Sequence, residues 1–159
     1  MIDIVCSDKL EEFGKKLGYS GIINIKELRV GYSAEDFNKK GMSIITGLEK
    51  IERVDSLHQR RSGFNQVLAK IAKKNKIALV FNFNDIIDSK KKSQIMGRIS
   101  QNIKICRKYK VEMIIASFAK YKYQMRNPSD LMSLFILLGM TPKEAKDALN
   151  NHKVYKSKS

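Results

Sequence analysis

Residues 77–83 read IALVFNF, and residues 111–117 read VEMIIAS. Both stretches are short, rich in β-branched and aromatic side chains, and apolar without alternation. That is the pattern of a strand covered on both faces, as strands of parallel sheets are. The chain between them supplies the cover. After the lysine cluster 90–92, residues 93–109 repeat Ile95, Ile99, Ile103 and Cys106 every three to four positions, the apolar stripe of one long helix. Strand, helix and strand in that order make a parallel crossover unit.

The same alternation extends in both directions. Residues 2–6 read as a strand, followed by Ser7 as a helix cap and a stripe of Leu10, Phe13 and Leu17 that Gly18 closes. Residues 21–25 form the next expected strand. A helix around 34–39 is capped by Ser33 and stopped by Gly41, and a third strand spans 42–46. One helical turn is expected at 51–53 and a short fourth strand at 54–57. Ser62 is expected to cap the helix that holds Phe64, Val67, Leu68, Ile71 and Ala72. On the other side, Asn127-Pro128 breaks the chain, Ser129 or Asp130 opens a helix over 131–138, and Gly139 ends it. Thr141-Pro142-Lys143-Glu144 is a complete helix start, with a cap, a proline at the first position and a glutamate at the third.

Five or six β/α alternations fit an open doubly wound sheet or a barrel. An eight-unit barrel takes about 250 residues, so a chain of 159 residues would build a trimmed one. The reading is a single domain over 1–150, followed by a basic tail at 151–159 that carries Lys153, Lys156 and Lys158.

The charge is concentrated. Residues 1–59 hold 9 basic and 10 acidic residues, whereas residues 60–126 hold 17 basic and only 3 acidic ones, Asp85, Asp88 and Glu112. Nearly all of the formal net charge of +15 therefore lies in the middle of the chain. Charge spread for solubility would not cluster in this way, so the block points to a polyanionic partner. The other counts exclude further classes. With 43% hydrophobic residues the chain is not low-complexity, and its two cysteines, Cys6 and Cys106, form no CxxC pair. The longest apolar stretch, LMSLFILLGM at 131–140, is half a membrane span. A soluble, cytoplasmic protein with two reduced thiols is expected.

No catalytic constellation emerges. The two histidines, His58 and His152, stand apart, no HExxH or HxH occurs, and there is no GxGxxG, GxxxxGK[ST] or GxSxG motif. Asp3 and Asp55 are the only candidate for a carboxylate pair at strand positions. The basic block has more content. Arg60 and Arg61 precede the expected helix start, where backbone N–H groups favour a phosphate. Lys90, Lys91 and Lys92 follow a strand end, Arg98, Arg107 and Lys108 ride on the long helix, and Lys120, Lys122 and Arg126 follow the last strand. Tyr121 and Tyr123 interleave with those lysines and fit two roles, stacking on unpaired bases or covering the edge of the core.

Several segments carry a resemblance. Arg61-Ser62-Gly63-Phe64-Asn65 before a leucine/alanine helix, Asn102 through Lys108-Tyr109, Ser117 at a strand end, Arg126-Asn127-Pro128-Ser129-Asp130-Leu131 and Gly139-Met140 resemble, in the same order, the archaeal and eukaryotic ribonuclease P protein component 3 family. The resemblance covers residues 60–148. Phe118-Ala119 departs from the family's usual Gly-Ala, and Met125 from its leucine.

The resemblance implies an α/β fold, a TIM-barrel-like parallel β/α barrel trimmed here to about six or seven strands. It implies a non-catalytic subunit of an endoribonuclease ribonucleoprotein, one that stabilises the catalytic RNA for 5′-leader removal from precursor tRNA. Its partners would be ribonuclease P RNA, a small RRM-like protein subunit, other ribonuclease P proteins and, indirectly, precursor tRNA; magnesium would belong to the RNA active site. On this view Arg60, Arg61, Lys90, Lys91, Arg98, Arg107, Lys108, Lys120, Lys122 and Arg126 face RNA, while Asn65, Ser117 and Asp130 hold loop shape. A metal-dependent phosphoesterase of the polymerase-and-histidinol-phosphatase barrel type and a general structured-RNA-binding protein are the competing readings.

Overall fold

The computed structural model describes residues 1–52 and 54–150. Six strands alternate with helices: β1 (Ile2–Val5), α1 (Glu11–Lys16), β2 (Gly21–Asn24), β3 (Val30–Gly31), β4 (Ile44–Thr46), α2 (Gln66–Asn75), β5 (Ala78–Asn82), α3 (Phe83–Asp88), α4 (Lys92–Tyr109), β6 (Met113–Ala116), α5 (Pro128–Leu137) and α6 (Pro142–Asn150). All ladders are parallel. β1 pairs with β2, and β3, β4, β5 and β6 pair in chain order.

The two sheets are joined where β6 leaves its ladder. The Phe118 N–H donates to the Ile4 carbonyl and the Cys6 N–H to the Ala119 carbonyl, both at 2.8 Å. The strands thus run 3-4-5-6-1-2, a cyclic order in which the last strand returns to the first. That is the connectivity of a barrel rather than of a doubly wound sheet. Six strands build it, within the trimmed range expected. No ladder joins β2 to β3 among the described residues.

Period-two side-chain geometry explains why the strand sequences are apolar throughout. Ile4, Ile44, Ala78, Val80, Ile114 and Ala116 point into the barrel, where Phe118 completes a small inner core. Val5, Ile45, Leu79, Phe81, Met113 and Ile115 point outward into a larger core shared with the helices. Phe81 meets Phe135 of α5 there, with ring centroids 5.9 Å apart. Phe118 stands where the resembled family usually has glycine, and its φ is +48°. Its ring stays buried in the inner core despite a backbone region that disfavours side chains.

Local differences from the sequence reading have physical causes. Residues 54–57 are no strand. Val54 and Leu57 are exposed, and the segment is fixed by Asp55, which turns inward to Arg98, and by a turn in which the Ser56 N–H donates to the Gln59 carbonyl. The helical turn expected at 51–53 lies at Leu48–Lys50, opened by Gly47 at φ +75°. Asn65, not Ser62, caps α2: its Oδ1 accepts from the Val67 and Leu68 N–H groups. Likewise Asn127 caps α5 by accepting from Asp130 N–H. The Thr141/Glu144 start of α6 is a reciprocal capping box. The tail expected at 151–159 lies outside the described residues.

Candidate nucleic-acid interface

Parallel strands send every strand-to-helix connection out of the same end of the sheet. Residues 47–65 leave β4, residues 83–91 leave β5, and residues 117–127 leave β6. These three connections carry Arg60, Arg61, Lys90, Lys91, Lys120, Lys122 and Arg126. All three connections, which hold seven of the ten expected RNA-facing residues, thus begin at one end of the barrel. Lys90, Lys91, Lys120, Lys122 and Arg126 stay by that rim, whereas Arg60 lies along the flank of α4 beside Gly97 and Gln101. Arg107 and Lys108 end α4, where the chain turns back to enter β6. They belong to the opposite end.

Two grooves open beside these connections. One, of about 920 Å³, has Lys50, Lys90 and Lys91 on its lips and Asp85 and Asp88 beside them. Lys50 forms an ion pair with Asp85 at 2.9 Å. The other, of about 680 Å³, lies between the 55–60 loop and α4 and is lined by His58, Arg60, Gln101 and Lys104. Lys50 and Lys104 were missed in the sequence because nothing local marks them; only the fold of the 47–60 connection over α4 brings them to these grooves.

Arg98 is a correction. Expected to face RNA, it is 2% exposed. Its guanidinium donates to the Glu49 and Ile51 carbonyls at 2.8 Å each and pairs with Asp55. Its helical stripe turns inward, and the desolvated charge needs these partners. Burial alone would raise the Asp55 carboxyl, but the Arg61 N–H and the Arg98 guanidinium outweigh it and hold the group below its ordinary value. Arg60 approaches the same carboxylate at 3.7 Å, lies over Gly97, and is clamped through its backbone by Gln101. Asp55 therefore sets the position of both arginines in the loop and has no part in a pair with Asp3.

Asp3 does a different job. It is fully buried, its Oδ1 accepts from the Ile4 and Ser117 N–H groups, and its Oδ2 accepts from the Ser117 hydroxyl at 2.6 Å. Burial pushes its carboxyl up to about 6 against the opposing pull of those hydrogen bonds. Ser117 Oγ in turn accepts from the Ala119 N–H, so Asp3 and Ser117 fix the point where the 117–127 connection departs. Asn84 of α3 steadies that connection by donating to the Ser117 and Gln124 carbonyls. Asp130 accepts from Asn127 Nδ2 at the start of α5.

The Arg126 guanidinium donates to the Tyr123 and Met125 carbonyls and lies over the Phe83 ring. Arg107 makes a two-pronged contact with Glu144 and also donates to the Gly139 carbonyl. Both arginines thus have structural work beside any role at a surface. Glu49 was not singled out in the sequence, and Asn102 only within a segment of the resemblance. Each is fully buried, and burial pushes the Glu49 carboxyl up to about 7, aided by Asp85. Among the described residues no group of three or more His, Cys, Asp or Glu side chains could hold a metal. No described helix is long and apolar enough to cross a membrane.

Residues 53–157 match the family model described as RNase P subunit p30. The chain belongs to the RNase P subunit p30 family. Among curated members, ribonuclease P protein component 3 of Methanosarcina mazei is 31% identical over 104 residues, which cover 62% of this chain and 44% of that protein. The Thermococcus kodakarensis protein of the same description is 32% identical over 90 residues, covering 55% of this chain and 41% of the relative. These matches span less than half the length of each relative. In fold, the chain resembles one in a cryo-EM structure of archaeal ribonuclease P with mature tRNA. The TM-score is 0.62 at 21% identity, over 99% of this chain and 67% of the other. The p30 match begins at residue 53, so it takes in the basic block whole.

Proposed function

We propose that this p30-family chain is an RNA-binding protein subunit of ribonuclease P. It stabilises the catalytic RNA for removal of the 5′ leader from precursor tRNA. One observation carries the reading: the barrel starts three separate basic connections at a single end. Lysine and arginine there would neutralise close-packed phosphates and release their counterions, lowering the cost of a compact RNA fold. Arg60, Arg61, Lys90, Lys91, Lys120 and Lys122 are the principal contacts, and Arg107 and Lys108 a lesser one at the far end. The family and the archaeal ribonuclease P fold neighbour support this assignment.

On this reading the partners are ribonuclease P RNA, a small RRM-like protein subunit and other ribonuclease P proteins, with precursor tRNA reached through the assembly. Magnesium serves the RNA active site, and the complex works in the cytoplasm. The test is reconstitution of precursor-tRNA cleavage from the cognate RNA and its proteins with this chain omitted. A large loss at low magnesium, restored by adding the chain back, is the expected result. Unchanged cleavage on omission, together with magnesium- or zinc-dependent cleavage by the isolated protein, would replace the reading with that of a phosphoesterase.

A further inference from the structure

Tyr121 and Tyr123 do not cover the core. They are 56% and 72% exposed, and their rings stack on each other with centroids 5.5 Å apart and planes 8° from parallel. Two large aromatic rings held together in water are a cost to the isolated molecule, and the backbone beneath them is built to keep them there. Gln124 Oε1 accepts from the Lys120 and Tyr121 N–H groups, and the Gln124 N–H donates back to the Tyr121 carbonyl. Arg126 holds the Tyr123 carbonyl at 2.7 Å, and Met125 is buried immediately behind. The rings are thus presented on a fixed turn.

We infer that Tyr121 and Tyr123 form a stacking platform for unpaired RNA nucleotides on the barrel rim. The inference rests on the RNA-binding reading above and gives it a substrate class. Each ring has one face on its neighbour and more than half of its residue exposed, which leaves a surface for a base to stack on beside the pair. The charge around the platform suits the ribose-phosphate chain that would connect such bases. Lys120 is exposed beside Tyr121, and Lys122, between the two tyrosines, lies over the Phe13 ring with its ammonium 5.8 Å from the centroid. Stacking requires no particular base, whereas paired RNA hides its base faces inside the helix. The platform therefore selects for single-strandedness rather than sequence.

The chain has six tyrosines and no tryptophan, so ring stacking in the wild type is readable as quenching of tyrosine emission. Affinities of wild type and variants alike are read from the anisotropy of end-labelled RNA. The experiment titrates the full chain with an oligoadenylate and, separately, with a blunt RNA duplex of equal length. The Y121A/Y123A and Y121F/Y123F double variants are treated alike, and thermal melts verify that each is folded. Expected are quenching by the oligoadenylate, a loss of at least about fivefold in its affinity in the alanine variant, retention in the phenylalanine variant, and unchanged duplex binding. Equal oligoadenylate affinity in wild type and alanine variant, or the same loss on the duplex, would overturn the platform while leaving RNA binding intact. Wild-type protein that bound neither RNA would overturn the RNA reading itself, and the platform with it.

Discussion

Gly63 shows how one residue can be demanded by two independent constraints. Its φ is +72°, and a Cβ there would sit 2.5 Å from the Leu48 carbonyl oxygen. The left-handed region costs a side chain about 1–2 kcal/mol, and the backbone clash adds to it. Gly63→Ala should lower stability by about 2–4 kcal/mol, read as a reduced denaturant midpoint at unchanged slope; a loss under 1 kcal/mol would mean that the 62–65 turn relaxes freely. Arg98 is the opposite case, a residue whose type misleads. Its charge counts toward the basic block, yet it is spent on Asp55 and two carbonyls. Removing one partner of a buried pair costs about 3–5 kcal/mol. Arg98→Ala should therefore destabilise the fold by about 3 kcal/mol, while the salt dependence of RNA binding by the remaining folded protein stays as it was. A smaller salt slope at full stability would put Arg98 back on the RNA face. The sequence could not separate these outcomes, because Arg98 meets Asp55 and the carbonyls of Glu49 and Ile51 from more than forty positions away.

Among the elements, the closure of β6 onto β1 is the join on which the barrel depends, and Asp3 is its splice. The folded-state carboxyl, at about 6, lies above its ordinary 3.8. The folded protein thus binds this proton more tightly than the unfolded chain does. Its contribution is fully present below pH 3.8 and is lost as pH rises through 6. The loss is on the order of 3 kcal/mol, because each tenfold gain in proton affinity on folding corresponds to about 1.4 kcal/mol. Asp3→Asn keeps an acceptor for the two N–H groups and can donate to Ser117 Oγ. It should flatten the fall in melting temperature between pH 4 and pH 6; a variant with the wild-type profile would assign that dependence to another group. Glu144 acts with the opposite sign. Its hydrogen bond to Arg107 holds the carboxyl near 2, so its contribution exists above the ordinary 4.5 and fades as pH falls toward 2. The elements themselves were unevenly legible. β5, β6 and α4 could be read because burial on both faces, or one long stripe, fixes the residue types. β3, with two residues, is too short to leave a periodic trace. α3 was missed because Asn82 both ends a strand and caps the helix that starts at Phe83. Residues 54–57 imitated a strand because Val54 and Leu57 flank polar residues, but Arg98 captures Asp55 first.

For the molecule as a whole, the sequence revealed that the charge was concentrated and left open where it would sit. Chain order alone cannot place residues 90 and 120 together; parallel strands in the order 3-4-5-6-1-2 can, because they direct both connections to one end. The same topology sends Arg107 and Lys108 to the other end, and this makes the two sets experimentally separable. Each phosphate neutralised contributes roughly 0.7 to 0.9 to the slope of log affinity against log salt. A Lys90→Ala/Lys91→Ala variant, both residues being exposed on the lip of the larger groove, should reduce that slope for ribonuclease P RNA by roughly 1.5. Lys108→Ala, at the opposite end, should reduce it by well under the roughly 0.7 of one phosphate contact. Neither change removes a buried contact, so both variants should melt with the wild type, and any difference in slope reports on RNA alone. Equal reductions per lysine from the two ends would mean that RNA wraps the barrel instead of seating on its rim. A larger effect per lysine from Lys108 would move the interface to the end where α4 enters β6, and the rim residues would then be free for a protein partner.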